Sequence, residues 1–278
     1  KRQAPRVASP ATGGRIRSSL PRDAYVSAVE RARELIAAGD CYQVNLTQRL
    51  SAPRACDVHD FAAALWAAAG PSSHRAFIGT PQGSVVSASP ERLLRIDGRR
   101  AVSEPIKGTA EPGRGDHLAR SLKDRAEHVM IVDLVRNDLG RVAEIGSVEV
   151  EQLMIPLTTP YAVHLVSRVA GVLPPRVGAG EALRALFPAG SVTGCPKVRA
   201  IEIIRELEPV SRGPAFGSML ARGADGSLEA GVSIRTAWLT GDLSHYWSGG
   251  AIVWDSDPLG EWREAMAKAA PYRAAVGA

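Results

Sequence analysis

The chain has 278 residues, 45% of them hydrophobic and 5% aromatic. That length allows one large domain or two small ones with a full core. No run of about 18 apolar residues offers a membrane span, and no secretory apolar segment lies near the start. The formal charge of +5 comes from residues 1–22, which hold Lys1, Arg2, Arg6, Arg15, Arg17 and Arg22 and no acid. The remainder carries 28 basic against 29 acidic side chains, a balance of −1, which excludes nucleic-acid binding by charge. Residues 1–22, with their Pro, Gly and Ser, read as a flexible basic arm, and residues 23–278 as one domain. The first residue is Lys, not Met, which reads as a truncated or processed chain. Cys41, Cys56 and Cys195 are odd in number and lack C-x-x-C spacing. That argues against a disulfide framework or zinc site and fits a reducing cytoplasm.

A first helix is predicted from Asp23 to Ala38, with Tyr25, Val29, Ala32 and Ile36 on one face, Asp23 as cap and Gly39 as stop. Tyr42, Val44 and Leu46 then alternate with Gln43, Asn45 and Thr47. This is a strand with an amide/hydroxyl face that meets either water or a polar pocket. The Ala-rich segment Phe61 to Gly70 reads as a core helix. Short strands follow near 75–79, 84–88 and 92–96, and Asp97-Gly98 turns into a strand ending at Pro105. A helix is predicted over 116–138, strands over 147–154 and 161–171, and a helix over 180–187. The loop Gly190-Ser191-Val192-Thr193-Gly194-Cys195-Pro196-Lys197 opens a helix over 196–207, with Pro196 in its first turn. Strands near 214–221, 228–239 and 244–254 precede a last helix over 258–270. Strands arriving mostly in hairpins predict an α+β fold with antiparallel sheets.

Chemistry-bearing residues punctuate this pattern. Lys107 stands between Pro105-Ile106 and Gly108 at a strand end. It is either a solvated loop lysine or, if partly buried, an amine of lowered pKa that can act as nucleophile or base. Glu127 shares a helix face with Ile131, Leu134 and Asp138, one turn after Asp124. Glu261, Glu264 and Lys268 line one face of the last helix. Two such acidic faces either are solvated, with Glu264 pairing Lys268, or converge on a Mg²⁺ ion. Glu91, in Ser89-Pro90-Glu91, is a general acid or part of a surface turn. His164 is a core or pocket histidine. Arg235 is a carboxylate clamp or a cross-strand ion-pair partner. Gly249-Gly250-Ala251 is an anion-friendly concavity or a bend.

Taken together, these segments resemble the chorismate-utilising enzymes, most closely the aminodeoxychorismate synthases (component I), over about residues 23–270. The resemblance is carried by Gly39-Asp40-Cys41-Tyr42-Gln43-Val44-Asn45-Leu46, Ser89-Pro90-Glu91-Arg92 and Pro105-Ile106-Lys107-Gly108-Thr109. It continues through Asp124-Arg125-Ala126-Glu127, the segment Ile131 to Gly140, Gly194-Cys195-Pro196-Lys197, Ile234-Arg235-Thr236 and Gly249 to Val253. Lysine in the P-I-x-G-T motif is similar to the aminodeoxychorismate enzymes, where anthranilate, isochorismate and salicylate synthases usually have alanine. Isochorismate and salicylate synthases also place a lysine base where this chain has Gln43.

The resemblance implies a β-sandwich of antiparallel sheets flanked by helices that binds chorismate. It implies amination at C4 to 4-amino-4-deoxychorismate, toward p-aminobenzoate and folate, with ammonia from a glutamine amidotransferase subunit. In that reading Glu127 and Glu264 ligate Mg²⁺, and Glu261, with Asp124, holds metal-bound water. Glu91 protonates the leaving C4 hydroxyl, and Lys107 adds at C2. Arg235 and the backbone at Gly249 and Ala251 hold the enolpyruvyl carboxylate, and Thr109, His164, Ser191 and Lys268 line the pocket. Three features depart from the family pattern: an upstream region of about 150 residues is missing, Ala221 replaces a common tyrosine, and Ala251 replaces a glycine. Anthranilate synthase component I, or a binding domain without turnover, are the alternative readings.

Overall fold

The computed structural model describes residues 15–54, 56–110, 121–158 and 163–277. Strand β1 (Arg17–Ser18) precedes helix α1 (Arg22–Ala37), followed by β2 (Gln43–Pro53), α2 (Val58–Ala69), β3 (His74–Thr80), β4 (Gly83–Ser89), β5 (Arg92–Asp97), β6 (Arg100–Glu104) and β7 (Ile106–Ala110). Helix α3 (Leu122–Gly140), β8 (Glu149–Thr158), β9 (Val163–Val172), α4 (Ala179–Leu186), a 3₁₀ turn (Gly190–Val192), β10 (Gly194–Cys195) and α5 (Lys197–Leu207) come next. The chain continues with β11 (Ser218–Arg222), β12 (Leu228–Val232), β13 (Thr236–Thr240), β14 (Leu243–Ile252), α6 (Pro258–Lys268) and α7 (Ala270–Ala275).

The strands form two antiparallel sheets, as the hairpin-rich pattern predicts. One runs β1-β2-β14-β13-β4-β3, with β10 also on β2. The other runs β11-β12-β5-β6-β9-β7, with β8 on β9. Apolar clusters fill the space between each sheet and its helices. Leu94, Val169 and Ala230 pack with Val132, Leu139 and Ala182 of α3 and α4. Val44, Leu46 and Ile252 pack with Val29, Ile203 and Ala265 of α1, α5 and α6. Leu50, Val86 and Tyr246 pack with Phe61, Leu65 and Tyr272 of α2 and α7. Tyr42 precedes β2 and is exposed, and the alternating stretch 43–47 buries both faces. Its polar side chains Gln43, Asn45 and Thr47 are as buried as its apolar ones.

Three expectations need correction. The arm does not extend to residue 22: Arg17 and Ser18 pair with Ser51 and Leu50, and Leu20 is buried in the α1 cluster. Residues 1–14 lie outside the described ones. Asp23 is in the first turn of α1 and does not cap it; the cap position is Pro21. The single strand read over 228–239 is two strands in different sheets. Arg235 has φ of +48°, a conformation costly for a residue with a Cβ, and it turns the chain from one sheet into the other.

Candidate active site

Two chain crossings between the sheets build the site. Ser89-Pro90-Glu91 leads from β4 to β5, and Ser233-Ile234-Arg235 leads from β12 to β13. They run side by side. Val232 N–H donates to the Glu91 carbonyl at 3.0 Å, and Ala88 N–H donates to the Arg235 carbonyl at 3.0 Å. The crossings thus place the general-acid candidate and the clamp candidate on adjacent backbone segments. Arg92, next in chain, turns the other way: its guanidinium pairs with Glu229 at 2.6 Å and with Glu104.

Glu91 is buried, not part of a surface turn. Its carboxyl accepts the Ser191 hydroxyl at 2.6 Å and the Ile106 backbone N–H. Burial raises its pKa to about 7, although Ser191, the Lys107 charge and Ile106 all act to lower it. A carboxyl so placed is close to half protonated at neutral pH, as a general acid requires.

Lys107 lies in β7, opposite Leu165 of β9. Between Lys107 and Thr109 the register slips at Gly108, whose φ of +72° glycine alone adopts freely. This bulge re-aims the lysine side chain. Burial lowers its pKa, and its electrostatic neighbours are Glu127, Lys268, Glu91 and Glu264. One amine therefore joins groups from three other segments, which is how the structure brings the sequence-predicted residues together.

Glu264 pairs with Lys268 at 2.6 Å, and Lys268 Nζ also donates to the Gly249 carbonyl at 3.3 Å. Glu261 is buried and accepts the Ser256 hydroxyl at 2.7 Å. Its other oxygen would lie 2.9 Å from a Cβ at position 250, so glycine there admits the carboxylate against β14. Among the described residues no three His, Cys, Asp or Glu side chains are close enough to share an ion. Two hard carboxylates from different helices, Glu127 on α3 and Glu264 on α6, nevertheless suit Mg²⁺, which keeps several waters and takes few protein ligands.

The β2–β14 register explains the Gly249–Ala251 segment. Thr47 and Asn45 direct their N–H groups away from β14, to Glu208 Oε1 and to the Thr193 carbonyl, each at 2.8 Å. The even positions of β2 therefore bond β14, and Leu46 faces Gly250. Gly249 and Ala251 then present their backbone groups to the other edge, which β13 covers only as far as Tyr246. A Cβ at 249 would lie 1.9 Å from the Leu46 carbonyl oxygen, so this stretch of ladder admits no side chain there.

His164 is buried opposite Thr109 in the β7–β9 ladder, with Nδ1 3.4 Å from the Gly108 carbonyl. Burial and, secondarily, the Arg235 charge hold its pKa below the ordinary histidine value. Arg235 forms no ion pair among those of the described residues, and its charge acts on His164. The Thr109 and Asp124 side chains lie outside the described residues.

Sequence reasoning missed several supports. His128 pairs with Ser167 at 2.6 Å behind Lys107, and burial and that lysine push its pKa down to about 4. Asp138 pairs with Lys197 at 2.6 Å, and both were visible in motifs without a stated partner. Ser256 carried no signal, because a hydroxyl five residues before a glutamate has no characteristic pattern.

The chain matches the family described as chorismate binding enzyme over residues 2–274. It is 41% identical to anthranilate synthase component 1 of Thermus thermophilus, covering 98% of this chain and 61% of that protein. It is 40% identical to aminodeoxychorismate synthase component 1 of Escherichia coli, covering 90% of this chain and 57% of that protein. The solved structure of anthranilate synthase component I from Streptococcus pneumoniae superposes with a TM-score of 0.87 at 33% identity, over 96% of this chain and 60% of that one. The chain thus spans about three fifths of the length of these relatives. No helix among the described residues is long and apolar enough to cross a membrane. By the family match and these identities, the chain belongs to the chorismate binding enzymes.

Proposed function

We propose that the chain aminates chorismate at C4 to give 4-amino-4-deoxychorismate, as component I of a two-component synthase. The observation that carries this reading is Lys107, an amine of lowered pKa set among Glu91, Glu127, Glu264 and Lys268. Glu91, protonated, gives its proton to the C4 hydroxyl as it departs as water. Lys107, as the neutral amine, adds at C2 through the conjugated double bonds, and ammonia then adds at C4 as the C2–nitrogen bond breaks. One water leaves and one ammonia enters. The lysine splits a hard displacement into two easier ones. Glu127 and Glu264 would hold Mg²⁺, with Glu261 orienting its water, and the ion would neutralise the ring carboxylate. Arg235 and the backbone of Gly249 and Ala251 hold the enolpyruvyl carboxylate beside His164 and Thr109, and Lys268 and Ser191 complete the wall. Ammonia would come from a glutamine amidotransferase subunit, and the product would feed p-aminobenzoate and folate in the cytoplasm.

Amination at C2, giving anthranilate, is the second reading, supported by the 41% identity to the Thermus protein, which stands beside 40% to the Escherichia coli aminodeoxychorismate synthase. Withholding ammonia separates the two. With chorismate and Mg²⁺ alone, intact-mass analysis should show an adduct of chorismate less water on the wild type and none on Lys107→Ala. Product formation by Lys107→Ala at the wild-type rate would sink the lysine step.

A further inference from the structure

The polar face of β2 leads to a residue that the reaction scheme does not use. Ser191, the hydroxyl donor to Glu91, stands in a 3₁₀ turn of three residues. The backbone bonds within that turn are long: Val192 N–H reaches the Ala189 carbonyl at 3.2 Å and Thr193 N–H reaches the Gly190 carbonyl at 3.3 Å. Its outward bonds are shorter. The Val192 carbonyl accepts Arg212 Nη1 at 2.7 Å, and the Thr193 carbonyl accepts Asn45 N–H at 2.8 Å. The Thr193 hydroxyl clips the turn at the Ala189 carbonyl at 2.8 Å, and the outward bonds, as short, fix the clipped turn to β2 and Arg212.

Arg212 is built for that task. Its Nε and Nη2 grip both oxygens of Glu208, at 2.9 and 2.6 Å, and Nη2 also reaches the Asn45 carbonyl at 2.6 Å. Glu208 is itself fixed by the Thr47 N–H and hydroxyl, each at 2.8 Å. The pair is largely buried, at 15% and 4% side-chain exposure, so water does not loosen it. The guanidinium also lies 4.7 Å above the Phe216 ring. Phe216 has φ of +60° and donates its N–H to the Ser233 carbonyl at 2.8 Å, two residues before Arg235. One rigid fork thus joins β2, the turn that carries Ser191 and the segment that leads to Arg235. A lysine has no planar fork and could replace only part of this.

We propose that Arg212, oriented by Glu208, is a positioning residue that sets the proton affinity of Glu91 by fixing the Ser191 hydroxyl. The role in turnover rests on the amination reading; the placement of Ser191 does not. The other groups around Glu91 are Lys107 of β7, the Ile106 N–H, and Asp138 of α3 with Ser103 and Arg92 at the same small cavity. None of these contacts Arg212 among the bonds of the described residues; a change at 212 reaches the Glu91 carboxyl through Ser191, while the path through Phe216 and Ser233 to Val232 meets only the Glu91 backbone carbonyl, and its action would appear as additive shifts in the double variant.

The test is an infrared titration of the buried carboxyl, with Glu91→Gln as the subtraction that isolates its band. It is run on wild type, Ser191→Ala, Arg212→Lys and the double variant, each shown folded by circular dichroism. Losing a hydrogen bond to the carboxylate raises the Glu91 midpoint. We expect Ser191→Ala and Arg212→Lys each to shift it upward, and the double variant to match Ser191→Ala alone. An unchanged midpoint in Arg212→Lys, or shifts that add in the double variant, overturns the proposal. If Arg212→Lys does not fold, Glu208→Gln, which frees the fork with the arginine in place, takes the same readings. Failure of both to fold makes the pair structural only and also overturns it. The titration needs no turnover, so lack of product from wild type would sink the amination reading and leave this result standing.

Discussion

Lys197 and Asp138 form an ion pair in which each charge opposes its own helix. Asp138 is in the last turn of α3, where the helix dipole disfavours an anion, and Lys197 opens α5, where it disfavours a cation. They meet at 2.6 Å with side-chain exposures of only 6% and 16%, so solvent screens them little. Lys197 also donates to the Leu186 carbonyl at 3.1 Å. Replacing Lys197 with Met keeps the length of the side chain and leaves Asp138 buried without its cation, which costs about 3–5 kcal/mol. For a chain of this size that corresponds to a melting temperature lower by on the order of 10 °C. The sign with pH is defined. Burial already holds the Asp138 pKa above the ordinary carboxylate range, with Lys197 opposing. Without the lysine the folded pKa rises further, so the carboxyl is neutral at low pH and the penalty grows as pH rises through that value. Thermal melts should show Lys197→Met closest to wild type near about pH 5 and furthest from it near about pH 8. Asp138→Asn added to Lys197→Met should recover part of the loss. As a control, the exposed Arg136–Asp133 pair should lose less than about 0.5 kcal/mol in Arg136→Ala. A loss below about 1 kcal/mol for Lys197→Met, or one that does not vary with pH, would refute this reasoning.

Other outcomes follow from the site. With ammonium below saturation, the slope of the logarithm of the rate against pH should drop near pH 7, the Glu91 value, where the general acid loses its proton. A break moved to higher pH in Ser191→Ala checks the assignment. Glu91→Gln should bind chorismate by calorimetry yet lose about 10²-fold or more in turnover. Gly249→Ala must push a methyl into the Leu46 carbonyl oxygen at 1.9 Å, so it should abolish chorismate binding or melt well below wild type. Wild-type melting and binding from this variant would show that the β2–β14 register is misread. Magnesium should bind measurably by calorimetry with chorismate present and weaken about tenfold or more in Glu264→Gln.

Much of this was legible in the chain. Helix α1, the hairpin strands and α5 follow from periodicity and from glycine punctuation at Gly39 and Gly98. The identity of Glu91, Lys107, Glu127, Glu264 and Arg235 as a group came from their motifs. Their meeting did not, because it depends on non-local pairing: the two crossings meet through the Val232–Glu91 and Ala88–Arg235 hydrogen bonds. The break at Arg235 was hidden because valine, isoleucine and threonine around it read as one continuous strand. Arg17–Ser18 was hidden because two residues are too few to show alternation. The Glu208–Arg212 fork has only an i, i+4 acid–base spacing in the sequence, and its bonds to Thr47 and Asn45 show what it holds.

The central claim is amination at C4 assisted by Lys107, and the most direct test is the product. The chain would be incubated with chorismate, Mg²⁺ and ammonium chloride, with and without aminodeoxychorismate lyase, and the mixture resolved by chromatography and mass. p-Aminobenzoate is expected only when the lyase is present. Anthranilate formed without the lyase, or chorismate bound and returned unchanged, would contradict it.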